Sequence, residues 1–209
     1  MNNLILLRHG QSQWNLENRF TGWEDVPLTV KGIDEAKTAG KLMKKNNIKI
    51  DIIFSSLLKR ANHTAELALK EMNLQHLWNK ENLTIIKDKN LNERDYGDLV
   101  GLNKDETVKK YGKDQVQIWR RSFDTKPPGG ESLKNVLERV EPYFDKNIAP
   151  KLINGKNVLI VAHGNSLRAT LIKIGLYKDN EISSIEIPTG KPLVISFENN
   201  VIIKNKYLN

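Results

Sequence analysis

Two histidines of this chain each follow a short apolar segment and precede a glycine. His9 comes after residues 4–7 and Arg8, and His163 comes after residues 158–162. Such apolar segments are typical of buried strands, and the carboxyl ends of parallel strands meet at one edge of a sheet, where ligands bind. The pattern therefore predicts that two strand ends, distant in sequence, form one site whose chemistry depends on histidine.

The first histidine lies in the segment Arg8-His9-Gly10, with Ser12 and Asn15 close behind it. An unprotonated imidazole nitrogen can attack phosphorus, and a neighbouring guanidinium can hold phosphoryl oxygens and balance the developing charge. Gly10 would let the backbone come close to a phosphate. A lone histidine at a strand end is more often structural, but these neighbours favour a phosphoryl-transfer site.

A further arginine, Arg60, stands in the first turns of a predicted helix that follows another strand. A helix amino terminus and a guanidinium together suit a phosphate, and this helix would begin at the same sheet edge as the histidines. Taken alone, Arg60 is more often the partner in a surface ion pair. His63, one turn beyond it, either lines the same pocket or packs structurally, and His76 is expected at the surface.

The elements that must position these residues alternate between strand and helix patterns, which predicts a three-layer α/β/α fold with a mostly parallel sheet. An irregular polar stretch at about 91–130 predicts a helical lid insertion, and Asn199-Asn200 predicts a hairpin that adds an antiparallel edge strand. Pro142 is expected to break or kink a helix near Glu141. Strands are predicted at 4–7, 50–54, 83–86, 158–162, 193–197 and 201–203, and helices at 29–45, 55–72, 104–111, 115–122, from 131 onward and at 166–175.

Composition restricts the class of protein. The 209 residues are 39% hydrophobic and 28% charged, which predicts a single domain, 1–209, with a sizeable core. The absence of cysteine excludes disulfides and thiolate zinc sites. The amino terminus does not show the pattern of a signal peptide and no apolar segment reaches membrane-spanning length, so a cytoplasmic location is expected. The net charge of +8 is compatible with an anionic small substrate or with a nucleic acid.

A set of motifs spread over nearly the whole chain resembles the cofactor-dependent phosphoglycerate mutases of the histidine phosphatase superfamily. The Arg-His-Gly segment alone is typical of the whole superfamily, whereas the Thr-Gly-Trp, Leu-Asn-Glu-Arg and Trp-Arg-Arg segments are narrower. The matching segments are 6–12 with Asn15, 20–23, 28–29 with Gly32, 55–61, 91–97, 101–104, 119–123, 162–168 and 187–190.

The resemblance implies a role for each matching residue. His9 would carry the phosphoryl group as a phosphohistidine, and Glu93 would act as general acid and base. The pocket for the transferring phosphoryl would consist of Arg8, Arg60, Asn15 and His163. The substrate's carboxylate and remaining phosphate would be bound by Thr21, Gly22, Tyr96, Lys104, Arg120, Arg121, Gly164 and Asn165. Outside that context, Glu93 would be an exposed partner of Arg94, and the paired arginines would be a solvated helix face.

The implied reaction is the interconversion of 3-phosphoglycerate and 2-phosphoglycerate in glycolysis and gluconeogenesis. The resemblance implies 2,3-bisphosphoglycerate as primer and intermediate, phosphoglycerates as the small-molecule partners, no metal, no membrane and no nucleic acid. Members of this family often form dimers or tetramers, so a homo-oligomer is expected.

Two departures from the longer mutases leave an alternative open. Only Gly129-Gly130 stands where those proteins carry a substantial loop before Glu131, and a Lys- and Gly-rich tail is not found after Gly190. Both features exclude water in the longer members, and water attack on phosphohistidine would make the protein a phosphatase. The first alternative is therefore a phosphomonoesterase acting on a small ester. A second alternative, independent of these departures, is a basic nucleic-acid-binding module. The net charge is the one feature of the sequence that supports the nucleic-acid-binding module.

Overall fold

The computed structural model describes residues 1–80 and 82–209. Its strands in chain order are β1 (Asn2–Arg8), β2 (Ile52–Ser55), β3 (Trp78–Asn79), β4 (Asn82–Leu83), β5 (Ile86–Lys87), β6 (Val158–Ala162), β7 (Leu193–Glu198) and β8 (Val201–Tyr207). Its α-helices are α1 (Gln13–Leu16), α2 (Val30–Lys45), α3 (Lys59–Met72), α4 (Lys104–Tyr111), α5 (Lys113–Arg121), α6 (Leu133–Tyr143), α7 (Ala149–Ile153) and α8 (Gly164–Lys173).

Within the described residues, a six-stranded sheet with the order β5-β2-β6-β1-β7-β8 forms the centre of the molecule. Strands β5, β2, β6 and β1 are parallel, and β7 and β8 add an antiparallel edge. The hairpin between β7 and β8 turns at Asn199 and Asn200, which both have positive φ (49° and 65°), as a two-residue hairpin turn requires. This arrangement confirms the predicted α/β class and its antiparallel edge.

Helices cover both faces of the sheet because β1 and β6 are apolar on both faces. On one face, Ile5 and Leu7 pack with residues of α2 and α3 such as Ala39 and Ala65. On the other face, Leu4 and Leu6 belong to the cluster that includes α6 and α8. The sheet is thereby held between two helical layers, and its carboxyl edge stays accessible to ligands. No helix of the described chain is long and apolar enough to span a membrane.

The stretch predicted as a lid carries α4 and α5 beside the carboxyl edge of the sheet. It is attached to the loop after α1, because the N–H of Phe20 donates to the carbonyl of Leu102 and Arg19 forms a bridge with Asn103. A small core of Phe20, Leu99 and Val116 packs beneath it. That this stretch acts as a lid within a single domain stays a prediction.

Two predicted boundaries are wrong at the start of α3 and in the strand 83–86. Ser55 and Ser56 do not cap α3, because Ser55 Oγ donates to the carbonyl of Val161 and Ser56 Oγ contacts His163; α3 begins at Lys59 with Leu58 at its N-cap. The predicted strand is divided, because Leu83 pairs with Trp78 in a separate hairpin and only Ile86 enters the main sheet.

The sequence predicts a break or a kink near Glu141, and the helix does not break there. Helix α6 runs through Pro142 to Tyr143, and a π-helical turn, Phe144–Ile148, follows and leads into α7. A proline removes one backbone donor, and the wider turn just after it accommodates the disturbed ladder without ending the helical path. A third boundary also differs from the prediction: α8 begins at Gly164, two residues earlier than predicted, because His163 takes the N-cap position.

Candidate active site

The two predicted strand ends lie side by side. Because β1 and β6 are neighbouring parallel strands with Arg8 opposite Ala162, the next residue of each, His9 and His163, emerges at the same edge. The backbone N–H of His9 donates to the carbonyl of Ala162 at 3.0 Å, and the two imidazole centroids are 4.9 Å apart. Both histidines are almost completely buried. The sheet therefore builds one site from two distant motifs.

The ring of His9 is held in one tautomer. Its Nδ1 lies 2.7 Å from the carbonyl oxygen of Gly10, an acceptor only, so Nδ1 carries the proton and Nε2 keeps its lone pair. Burial, followed by the charges of Arg60 and Arg8, holds the pKa of His9 well below its usual value of 6.5. A neutral imidazole with a free Nε2 is the state that a nucleophile requires.

His163 is arranged differently. Its Nε2 is 2.7 Å from Ser56 Oγ, and burial, followed by the charge of Arg60, holds its pKa well below the usual value. Within the described chain, His163 Nδ1 and Arg8 Nε are buried and have no hydrogen-bond partner. Buried polar atoms are nearly always paired, so unpaired ones beside a nucleophile are suited to a bound oxyanion.

Arg60 joins the edge of the sheet to the loop after α1. Its guanidinium donates to the carbonyls of Glu24 and Gly22, each at 2.8 Å. Burial lowers the pKa of Arg60 to about 10, partly opposed by the charge of Glu93, so the guanidinium stays charged at neutral pH. Asn15 lies on α1, where its side-chain oxygen accepts from the Ser12 N–H, and its amide group lines the same cavity.

Glu93 is buried against the amino terminus of α8. Its Oε1 accepts from the backbone N–H groups of Arg94 (2.8 Å) and Asn165 (3.1 Å). Burial raises the pKa of this carboxyl, but the Arg94 N–H and the charges of Arg8 and Arg60 together lower it below its usual value. Glu93 is therefore a buried carboxylate, not the exposed partner of a neighbouring arginine.

A second cationic region faces the histidines from the predicted lid. Lys104 stands at the start of α4, and Arg120 and Arg121 end α5. Tyr96 lies beneath them with the Arg94 guanidinium 4.7 Å above its ring, and burial lowers the pKa of Lys104. This region can hold a second anionic group of the same ligand.

Apart from His163, the predicted groups described above line one cavity of about 140 Å³. Among the described residues its lining has seven lysines and arginines and two glutamates, so its potential is strongly positive. The residues around it are Arg8, His9, Asn15, Arg19, Thr21, Gly22, Arg60, Glu93, Tyr96, Lys104, Arg120, Arg121, Gly164, Asn165, Arg168 and Glu186.

The structure brings together the residues that the sequence singled out. Every predicted site residue lines the cavity except His163, which lies directly behind its wall beside His9. His63 is exposed on another face of α3, so it neither lines the pocket nor packs in the core, and both alternatives predicted for it are wrong. Arg19, Arg168 and Glu186 were missed as site residues. Arg168 lies within a matching segment, which was the one available signal; the other two lie in loops without a pattern.

Comparison with known families gives a match over nearly the whole chain. The model of the histidine phosphatase superfamily (branch 1) matches residues 4–207. The chain is 49% identical over 191 residues to a 2,3-bisphosphoglycerate-dependent phosphoglycerate mutase of Bradyrhizobium diazoefficiens, covering 91% of this chain and 89% of that protein. It is 49% identical over 203 residues to the protein of the same name from Methylobacterium sp., covering 97% and 95%. These relatives confirm that the chain is an enzyme.

Two of the solved structures with the same fold are named as phosphatases. A mycobacterial glucosyl-3-phosphoglycerate phosphatase is 25% identical, with a TM-score of 0.79 over 99% of this chain and 97% of that one. An alpha-ribazole phosphatase from Shigella flexneri shows the fold at 23% identity and a TM-score of 0.78, over 99% and 96%. The fold thus occurs in proteins whose names indicate different reactions.

Proposed function

The chain belongs to the histidine phosphatase superfamily, and on that premise we propose that it interconverts 3-phosphoglycerate and 2-phosphoglycerate with 2,3-bisphosphoglycerate as primer and intermediate. The observation that carries the proposal is the position of a neutral His9 between two cationic regions of one cavity. A simple monoester needs one such region, whereas a ligand that presents either of two phosphates to the same nucleophile needs both. The names of the relatives at 49% identity support this assignment.

When 2,3-bisphosphoglycerate returns a phosphoryl group to the enzyme, His9 Nε2 attacks its phosphorus, so a nitrogen–phosphorus bond forms, the ester phosphorus–oxygen bond breaks, and the ester oxygen leaves as the hydroxyl of a monophosphoglycerate. The unpaired Arg8 Nε and His163 Nδ1, with the Arg60 guanidinium and the Asn15 amide, would receive the phosphoryl oxygens. Donors that are already oriented stabilise the transition state without reorganisation, which is the largest contribution in many enzymes.

Glu93 would move the proton that this transfer requires. In the half-reaction that transfers the phosphoryl group from His9 to a monophosphoglycerate, the depressed pKa of Glu93 keeps it ionised, so it can take the proton from the attacking substrate hydroxyl. When the phosphoryl group leaves the substrate, the protonated carboxyl returns that proton to the ester oxygen. The negative charge of a bound phosphate raises the pKa of a neighbouring carboxyl, which allows Glu93 to cycle between the two states.

The remaining anionic groups of the substrate would be bound from the second cationic region. We assign the substrate carboxylate to Arg121, and the second phosphate to Lys104 and Arg120. Tyr96 and Asn165 form a polar wall, with Asn165 Nδ2 donating to the Tyr96 hydroxyl at 3.4 Å. The backbone of Thr21, Gly22 and Gly164 completes the lining. Reorientation of the bisphosphate within this cavity would exchange which phosphate faces His9.

A phosphomonoesterase is the second candidate. The solved phosphatase at 25% identity shares the fold over 99% of this chain, and only Gly129-Gly130 occupies the place where longer mutases carry a loop. If water reaches phosphohistidine, it breaks the nitrogen–phosphorus bond and releases phosphate. The mutase is favoured because simple phosphatases of the superfamily tend not to have the second cationic region.

The proposed setting follows from the proposed reaction. The substrates are glycolytic and gluconeogenic phosphoglycerates, so we place the enzyme in the cytoplasm, as a homo-oligomer without nucleic-acid or membrane partners. The basic residues would then serve to bind a small anionic substrate, since the cavity concentrates arginines and lysines around a compact anion. That no metal takes part stays an expectation.

The deciding experiment is a coupled assay with 3-phosphoglycerate in chelator, with and without catalytic 2,3-bisphosphoglycerate, which follows 2-phosphoglycerate and free phosphate together. Isomerisation stimulated by the bisphosphate with little phosphate release is the expected result. Phosphate release without isomerisation would select the phosphatase. His9→Ala should abolish both activities and the acid-labile phosphoenzyme, and His63→Ala, on an exposed face of α3, is the matched control.

A further inference from the structure

One carboxylate stands at the mouth of the cavity among the groups that would bind an anion. Glu186 lines the cavity and forms an ion pair with Arg121. Its other oxygen is 3.8 Å from Arg168 Nη2. A negative charge at the entrance of an anion site repels the ligand and weakens its binding. The repulsion is smaller if the ligand can replace the carboxylate on the arginine that the carboxylate contacts.

The backbone that carries Glu186 is fixed on both sides. Arg168 Nε donates to the carbonyl of Ile185, and Arg8 Nη1 donates to the carbonyl of Ile187, each at 2.8 Å. The side chain itself is 65% exposed, so the packing around it does not confine it to one position. The segment therefore presents an exposed carboxylate from a backbone that is held on both sides.

The two arginines differ in how firmly they are held. Arg168 is buried and anchored, because it also donates to Asn165 Oδ1 at 3.3 Å. The described contacts of the Arg121 guanidinium are with Glu186, and its side chain is 25% exposed. If a ligand takes Arg121, Glu186 stays within reach of Arg168. The charge state agrees with this exchange: although burial raises the pKa of Glu186, the hydrogen bond and charge of Arg121 lower it below its usual value.

We propose that Glu186 is a built-in competitor for Arg121, which the substrate's carboxylate must displace. This inference rests on the proposed function, because it assigns the carboxylate of phosphoglycerate to Arg121. The contact acts on carboxylate-bearing anions in particular: such an anion has to break the contact in order to bind Arg121, whereas a plain phosphate ester leaves the contact intact. Glu186 thus lowers the affinity for phosphoglycerates and reduces their preference over related esters that have no carboxylate.

The test is calorimetric binding of 3-phosphoglycerate and glycerol 3-phosphate, which has no carboxylate, to the unphosphorylated protein. Glu186→Gln should bind 3-phosphoglycerate about three- to fivefold more tightly, the range expected for loss of one partly exposed ion pair, and glycerol 3-phosphate less than twofold more tightly. Glu198→Gln, at the opposite end of β7, removes the same charge far from the cavity and should match the wild type.

A double-mutant cycle identifies the partner. In an Arg121→Gln background, adding Glu186→Gln should change the affinity for 3-phosphoglycerate less than twofold, because the guanidinium for which Glu186 and the substrate compete is no longer there. Weaker or unchanged binding of 3-phosphoglycerate in the single variant would overturn the proposal and show that Glu186 merely supports Arg121. An equal gain for both ligands would also overturn it. The coupled assay judges the mutase reaction separately, because these binding constants do not depend on turnover.

Discussion

The neutral form of His9 follows from its position and has a consequence beyond catalysis. The ring is buried beside two guanidinium groups, so its pKa is well below 6.5 in the folded protein, and that of His163 is lowered in the same way. In the unfolded chain both rings return to a pKa of about 6.5. As the pH falls below that value, the unfolded chain therefore binds protons that the folded protein does not, and unfolding becomes easier.

We expect the free energy of unfolding to fall on going from pH 7 to pH 5, by up to about 1.4 kcal/mol per pH unit for each buried histidine. The contribution of the two neutral histidines to the free energy of unfolding is fully present above pH ~6.5. It declines below that pH until the pH reaches the pKa values of the folded protein. Urea denaturation at several pH values measures this slope. His9→Gln should have a shallower slope than the wild type, since only His163 remains. Equal slopes in the two proteins would contradict this account.

Glu93→Gln tests the assigned proton transfer. The amide keeps the shape of the carboxyl but cannot accept a proton, so kcat should fall about 10²- to 10⁴-fold, the usual contribution of general acid–base catalysis. Because His9 and the surrounding cations are intact, phosphohistidine should still accumulate during long incubation with 2,3-bisphosphoglycerate. Glu138→Gln, a neutralised glutamate on α6, serves as the control. A variant of Glu93 with wild-type kcat would remove this residue from the mechanism.

Most of the candidate site was predictable at this scale because its residues lie in short segments around strand ends. His9 and His163 each follow a buried strand, so local sequence is enough to place them at one edge. Glu186 and Arg19 could not be found that way. Each reaches the cavity from a loop whose path depends on distant contacts, such as the bridge between Arg8 and Thr189 that brings the segment of Glu186 alongside β1.

At the scale of elements, helix α6 holds the loop that carries Glu93. Arg139 donates to the carbonyls of Asn92 (3.2 Å) and Glu93 (3.0 Å), and its guanidinium is held by the carboxylate of Glu131. The indole N–H of Trp23 donates to the same Glu93 carbonyl at 2.6 Å. Two donors from separate elements thus orient the backbone on which the buried carboxylate depends.

Arg139→Lys should therefore lower kcat about 10- to 100-fold with a small change in KM. Lysine keeps the charge but cannot hold the carbonyls and the carboxylate together, and a misplacement of about 1 Å at a reacting group has a cost of this order. The acid limb of the kcat profile should also move to higher pH if Glu93 loses part of its contact with the Arg94 N–H. Lys134→Gln, an exposed change on the same helix, is the control. An unchanged pH profile would show that Arg139 acts on stability alone.

The same elements show where sequence patterns fail. The apolar pattern at 83–86 could not show that Leu83 and Ile86 enter different sheets, since strand periodicity does not specify the pairing partner. Serine at a helix start usually predicts a cap, but Ser56 instead contacts His163, so α3 begins later. In both places a tertiary contact outweighs the local preference.

For the whole molecule, the charge distribution predicts a strong dependence on salt. The cavity gathers cations in a protein whose net charge is +8. Such a field attracts anionic substrates, and it is screened over about 10 Å at 0.1 M ionic strength. The KM for 3-phosphoglycerate should rise several-fold between 20 mM and 300 mM KCl, while kcat changes little. A KM that does not vary with KCl would show that substrate capture depends on short-range contacts only.

The central position of β1 in the sheet also determines at what stage of folding the site can form. Leu4, near the start of the chain, pairs with Val158 on one side and with Ile195 on the other. Pairings between such distant residues form slowly, because the entropy of closing a long loop is lost before the contacts form. During synthesis β1 emerges before β6 and β7, so it cannot pair with either neighbour until that strand has been made. His9 can therefore meet His163 only after β6 has been made, so the paired histidines of the site form late in folding.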